Sequence, residues 1–153
     1  MKSILFICAA NICRSPALEA TLRHLAVEAK CADQLHIDSC GVGWSHLGQH
    51  PDPRMFSVAQ EHGILIDHRA QQFQEHFFQE FDHLFAVDED VRQQIAYLAK
   101  KEKDKKKVEM ASAYSINYKG KEIPDPYYLN SSGFEQVMEM IFDCCRGILR
   151  NCL

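Results

Sequence analysis

Residues Ile4 to Leu25 restrict the possible folds more than any other stretch of the chain. Ile4-Leu5-Phe6-Ile7 is apolar without alternation, the pattern of a strand covered on both faces of a parallel sheet. Beyond Pro16, the positions Leu18, Leu22, Leu25, Ala26 and Ala29 recur at helical spacing. Ser15 is placed to cap that helix and Pro16 to take its first position, where no amide hydrogen is needed. A loop that begins at Cys8 therefore joins the carboxyl end of a strand to the amino end of a helix.

Open α/β sheets bind ligands at such junctions, because the helix dipole and unpaired amides favour an anion. The loop residues Ala9, Ala10, Asn11, Ile12 and Cys13, together with Ser15, can curl so that several amides converge on one tetrahedral dianion. Arg14 offers a planar fork for two phosphoryl oxygens, and the same field should stabilise a thiolate at Cys8. A lone cysteine ending a strand is more often an inert core residue. The arginine and the anion-site placement argue for a nucleophile instead. Cys13 is either a thiol that closes a reversible disulfide with Cys8 or a small buried residue.

The remaining elements alternate. Leu35 to Cys40 reads as a second strand, followed by a loop from Gly41 to Pro53. Asp52 and Pro53 begin a helix that Gly63 stops. Phe81 to Val87 reads as a third strand, and Asp88 caps a helix running through Leu98 into a lysine-rich end. Val108 to Met110 gives the fourth strand. The closing helix starts near Ser132, with Phe134, Val137, Met138, Ile141, Phe142, Cys145 and Ile148 on its apolar stripe. This order predicts an α/β fold: a single three-layer domain over residues 1–153, with a four-stranded parallel sheet (order 2-1-3-4) and helices on both faces.

Length and charge bound the function. A chain of 153 residues suits one domain, and a net charge of −4 gives no reason to expect a nucleic acid partner. Seven cysteines with no Cys-x-x-Cys spacing point to free thiols in a reducing compartment and offer no metal site. His46 and His50 read as loop histidines, since Gly48 between them opposes a helix. No stretch approaches a membrane span, and the apolar run at the amino terminus is too short for a secretion signal. The expectation is a soluble, cytoplasmic protein with no membrane partner, a monomer or weak dimer. The run Lys100 to Lys107 reads as solvated charge at a helix end.

A thiolate needs a general acid to expel an alkoxide or phenoxide, and Asp125, held between Pro124 and Pro126, is the candidate. The string Cys8-Ala9-Ala10-Asn11-Ile12-Cys13-Arg14-Ser15-Pro16, followed far downstream by Asp125-Pro126-Tyr127-Tyr128, resembles the two signatures of the low-molecular-weight protein tyrosine phosphatases. The resemblance extends to Asp38-Ser39, Pro51-Asp52-Pro53-Arg54, His62-Gly63-Ile64 and His68. It implies a phosphocysteine intermediate on Cys8, Arg14 as phosphate clamp and Asp125 as proton donor. Tyr127 and Tyr128 would then line the mouth, and the partner would be a phosphotyrosine-containing protein. It further implies that Glu19, Ser39 and His68, with Asn11, hold the loop in shape, and that no cofactor is needed.

Departures sharpen the alternatives. The family usually has glycine where Ala10 stands, so a positive φ there would strain the loop and leave a phosphate- or phosphotyrosine-binding module with a disabled loop. The usual wall aromatic falls at Ser45, and Trp44 is the aromatic nearest to it. Gln71 replaces a common arginine. Phosphoarginine phosphatases share the fold but carry a smaller polar residue at the position of Ile12. Arsenate reductases need further redox cysteines near the third strand, and residues 78–92 contain none.

Overall fold

The computed structural model describes residues 1–126 and 129–152. Four strands, β1 (Lys2–Cys8), β2 (Leu35–Gly41), β3 (His83–Ala86) and β4 (Val108–Met110), form one parallel sheet in the order β2-β1-β3-β4. The uninterrupted apolar run puts β1 at its centre, with Ile4, Leu5, Phe6 and Ile7 all buried. Register places Cys8 opposite Gly41 and Ile7 opposite Ala86, so the carboxyl ends of three strands gather around the loop that follows β1.

Among the described residues, six α-helices, α1 (Arg14–Glu28), α2 (Pro53–Glu61), α3 (Phe77–Glu80), α4 (Glu89–Leu98), α5 (Glu102–Lys105) and α6 (Ser131–Asn151), accompany the sheet, with a single 3-10 turn at Ala32–Gln34. They cover both faces of the sheet. Helix α1 packs on β2 and against α6, while α4 packs on β3 and β4. The α6 stripe is buried as expected apart from Phe142, which is half-buried. Asp52 caps α2 by accepting the amides of Arg54 and Met55, and Asp88 caps α4 by accepting the amide of Val91. Gly63, with φ of +77°, ends α2 in a conformation that side chains disfavour.

Three local expectations are corrected. Ser15 does not cap α1; the cap position falls on Cys13, and the Ser15 side chain turns inward to a buried polar cluster. The segment read as a strand from Phe81 to Val87 is strand only over His83–Ala86. Before it, Phe77 and Phe78 lie in the one-turn helix α3, where Phe73, Phe77, Phe78 and Phe81 stack edge to edge. Nor does α4 run into the lysine-rich stretch: it ends at Leu98, and the lysines lie on and around the separate helix α5.

Candidate active site

The loop from Cys8 to Arg14 is shaped by its carbonyls, which are drawn outward. Val42 and Gly43 donate to the carbonyls of Cys8 and Ala9, each at 2.9 Å, and Asp52 donates to that of Ile12 at 2.7 Å. Gly41 permits this close approach. A Cβ there would lie 2.9 Å from the Ala10 carbonyl carbon and 3.0 Å from both Ala9 O and Asn11 N. With these three carbonyls committed, the amides remain. The Asn11 amide donates to Cys8 Sγ at 3.2 Å, and no described residue accepts from the amides of Ala9, Ala10, Ile12, Cys13, Arg14 or Ser15. Unpaired amides in a loop that opens a helix form an anion-binding nest.

The positive φ of this loop falls on Asn11, at 58°, and not on Ala10. Asparagine tolerates that conformation better than most side chains, and here both polar atoms of its side chain are pinned. Asn11 Oδ1 accepts from the Gln71 amide at 2.9 Å and from His68 Nε2 at 2.7 Å, while Nδ2 donates to Ser15 Oγ at 2.8 Å and Ser39 Oγ at 3.1 Å. The Gln71 amide can only donate, so Oδ1 is the acceptor and His68 Nε2 carries its hydrogen. Ser39 Oγ donates onward to Glu19 Oε1 at 2.7 Å, and His68 Nδ1 lies 3.2 Å from the same oxygen.

This buried cluster brings together Asn11, Ser15, Glu19, Ser39 and His68. Burial holds the Glu19 carboxyl above the ordinary glutamate range, with His68 opposing the shift. Donor atoms of Glu19, Asp38 and His68 lie within 4.8 Å of one another, a spacing a metal could use. They are instead engaged by Ser39, Gln71 and Arg23.

Ser15 Oγ also lies 2.9 Å from Cys8 Sγ. On the opposite side, the buried Arg14 places Nη1 2.9 Å from Asp88 Oδ2 and 2.8 Å from the Ile123 carbonyl, with Nη2 3.8 Å from Asp125 Oδ2. Both Nη1 hydrogens are thus used to fix the fork, which leaves Nε and Nη2 for an anion. Asp88 was legible in the sequence only as a helix cap. Its second oxygen does this other work, and a separation of 74 residues hides that contact from any local pattern.

A cavity of about 280 Å³ opens over the sulfur, lined by Cys8, Ala9, Ala10, Ile12, Cys13, Arg14, His46 and Asp125. His46, read from sequence as a loop residue, thus reaches the site. Trp44, the aromatic nearest the usual wall position, is 71% exposed and is not among the lining residues. Asn11 and Ser15 border the loop, but their side chains face the buried cluster. Tyr127 and Tyr128 lie outside the described residues. Cys8 and Cys13 are both free, and burial raises the Cys13 thiol far above its ordinary value.

A strand-end thiol in a nest of amides, with a clamped arginine and a carboxyl across the cavity, defines a cysteine-dependent phosphomonoesterase on a parallel sheet. The family model described as low molecular weight phosphotyrosine protein phosphatase matches residues 3–152. The chain belongs to that family of cysteine-dependent protein-tyrosine phosphatases.

Among similar proteins, the low molecular weight phosphotyrosine protein phosphatase of Sus scrofa is 38% identical, covering 97% of this chain and 94% of its own. The low molecular weight protein-tyrosine-phosphatase of Streptomyces coelicolor is 36% identical, covering 95% and 90%. The crystal structure of a protein tyrosine phosphatase from Entamoeba histolytica with Hepes in the active site superimposes with a TM-score of 0.95 at 30% identity, covering 99% of this chain and 97% of that one. An arginine phosphatase from Drosophila superimposes with a TM-score of 0.90 at 28% identity, covering 99% and 98%. No helix among the described residues is long and apolar enough to cross a membrane.

Proposed function

We propose that the protein hydrolyses phosphotyrosine in protein substrates through a phosphocysteine intermediate. The observation that carries this reading is the cavity in which Cys8, Arg14 and Asp125 face one another over a loop of unpaired amides. In the first step the Cys8 thiolate attacks phosphorus in line. The loop amides with Nε and Nη2 of Arg14 hold the three equatorial oxygens, and Asp125 gives its proton to the departing phenolic oxygen. In the second step Asp125, now a carboxylate, takes a proton from water as it attacks the phosphocysteine. Sulfur leaves as thiolate and inorganic phosphate departs.

Charge stabilisation comes from the arginine and the amides, so neither step calls on a cofactor. Ser15, through its hydroxyl, and Asn11, Ser39, Glu19 and His68, through the buried cluster, keep the loop in its anion-binding shape. The half-buried Ile12 on the cavity wall suits an aromatic ring better than a guanidinium and favours phosphotyrosine over phosphoarginine. A disabled binding module would need Ala10 at positive φ, and the strain falls on Asn11 instead. The expected setting is the cytoplasm, with the protein as a monomer or weak dimer.

The test is phosphate release, in chelator and reductant, from matched phosphotyrosine, phosphoserine and phosphoarginine peptides. Turnover favouring phosphotyrosine and abolished by Cys8→Ser is the expected result. Equal or greater turnover of phosphoarginine would overturn the substrate assignment. No turnover by the folded protein would overturn the activity.

A further inference from the structure

The phosphatase chemistry leaves one charged feature unused, the corner formed by the end of α4 and by α5. Helix α4 begins at Asp88, beside Arg14 and the catalytic cavity, and runs about 15 Å away from it over its 10 residues. Its last residues, the lysine stretch and the entry to β4 therefore sit at the end of the sheet remote from the cavity. Residues 100–107 hold six lysines against Glu102 and Asp104, a local charge of +4 in a chain of net charge −4. Such segregation gives a weakly acidic protein one strongly basic pole.

Folding sharpens the pole. Asp104 is 4% exposed and turned inward, against Gln79 at 3.4 Å and Lys107 at 3.9 Å, so its charge does not face outward beside the lysines. Lys105 pairs with Glu102 at 3.4 Å and Lys100 with Glu75 at 3.7 Å. Among the described residues, Lys101, Lys103 and Lys106 have no acidic partner. Next to them stand two apolar side chains that the core does not use, Tyr97 at 88% exposure and Leu98 at 37%. A shallow cleft between the two helices is lined by Arg92, Gln93, Ala96, Tyr97 and Lys105.

We propose that this corner seats the protein on an anionic lipid surface, with Tyr97 at the level of the headgroups, the unpaired lysines over the lipid phosphates, and the catalytic cavity turned away from the bilayer. Lysines near an anionic leaflet each add to attraction, and an aromatic ring with a polar tip suits the interface. An acidic polypeptide would satisfy the lysines equally well. It would give no reason for an almost fully exposed tyrosine and a leucine beside them. The sequence expectation of no membrane partner rested on the lack of any stretch long enough to span a bilayer, which a peripheral contact does not need. The contact is peripheral and places no chain in the bilayer.

The test is co-sedimentation of the full chain with vesicles of phosphatidylcholine alone or with roughly a third phosphatidylserine. Sedimentation with the serine-containing vesicles only, reversed at about 1 M salt where screening is nearly complete, is expected. Combined Lys101→Glu, Lys103→Glu and Lys106→Glu should weaken it more than about tenfold, and Tyr97→Ala about threefold. Hydrolysis of p-nitrophenyl phosphate should be unchanged in both variants, which separates this proposal from the phosphatase reading. No sedimentation, or equal sedimentation with both vesicle types, would overturn it. So would binding of poly-glutamate as tight as that of vesicles and indifferent to Tyr97→Ala, which would assign the corner to an acidic protein.

Discussion

Ser15 Oγ lies 2.9 Å from Cys8 Sγ while accepting a hydrogen from Asn11 Nδ2 at 2.8 Å, so its one hydrogen is shared between the sulfur and the Cys40 carbonyl at 3.3 Å, and an ionised sulfur is the stronger acceptor. A hydrogen bond to an ionised group contributes about 1.5–3 kcal/mol. Ser15→Ala should therefore lower kcat about tenfold to a hundredfold, with KM for p-nitrophenyl phosphate changed less than about threefold. Steady-state kinetics of the folded variant measure this. An unchanged kcat would remove Ser15 from thiolate stabilisation.

Asp88 divides its two oxygens between the Val91 amide and Arg14. In Asp88→Asn the cap acceptor survives but the part-buried ion pair does not. The guanidinium should lose its fixed pose, and kcat/KM should fall by more than about tenfold, a loss of about 1.4 kcal/mol or more in transition-state stabilisation. Asp88→Ala should lose about 1 kcal/mol more in denaturant unfolding, the usual contribution of a cap. Comparing the two variants in kinetics and in urea separates the roles.

Two glycines should respond differently to alanine. Gly41→Ala would push a methyl group into the backbone of residues 9–11, and displacement of the loop should cut kcat/KM by roughly a hundredfold. Gly63→Ala meets open space but keeps a φ of +77°, so it should cost about 1–2 kcal/mol of stability and leave kcat intact. Paired kinetic and thermal measurements on each variant check the contrast.

Glu19 supplies a pH dependence. Its folded-state carboxyl keeps its proton to higher pH than the unfolded one, chiefly through desolvation. The folded state thus binds more protons across the window above the ordinary glutamate range, and stability falls as pH rises through it. Glu19→Gln, which cannot ionise, should gain stability relative to wild type as pH is raised across that window. Urea midpoints of the two proteins between acidic and neutral pH measure the difference. A gap that narrows with rising pH would reverse the sign.

The seven free thiols should differ in reactivity. Burial pushes the thiols of Cys144 up to about 12 and Cys152 up to about 11, and holds Cys13, Cys40 and Cys145 higher than ordinary thiols. Iodoacetate at neutral pH should alkylate Cys8 first, with inorganic phosphate protecting it, and peptide mapping reads this out. First modification at Cys13 would contradict the arrangement.

Strand order, the central place of β1 and the caps at Asp52 and Asp88 were legible because each rests on a continuous local signal. Apolar runs, proline and aspartate at helix starts, and glycine at helix ends are read within a few residues. The misread parts rest on contacts distant in sequence or on elements too short for periodicity. Ser15 looks like a cap by its neighbours, but Asn11 and Cys8 turn it inward. Helix α3 has four residues, fewer than are needed to show a helical pattern against the aromatic run that precedes β3. The Arg14–Asp88 pair, the approach of Gly41 to the loop and the arrival of His46 at the cavity depend on how segments dock. Asp125 and the loop motif were visible by residue type and spacing. Trp44, the aromatic nearest the usual wall position, is exposed and does not line the cavity.

The outward pull on the loop carbonyls by Val42, Gly43 and Asp52 ties catalysis to the order of assembly. Residues 8–14 are adjacent in the chain, yet their curled shape is imposed by the turn that follows β2, by the start of α2, and through Asn11 by the segment at His68 and Gln71. Arg14 then awaits Asp88 and the Ile123 carbonyl. A nascent chain that has emerged only through β2 therefore holds the whole signature motif but no reactive centre. On refolding, activity should return with the final cooperative step rather than before it, and the cell is spared a half-made protein with an unguarded nucleophile.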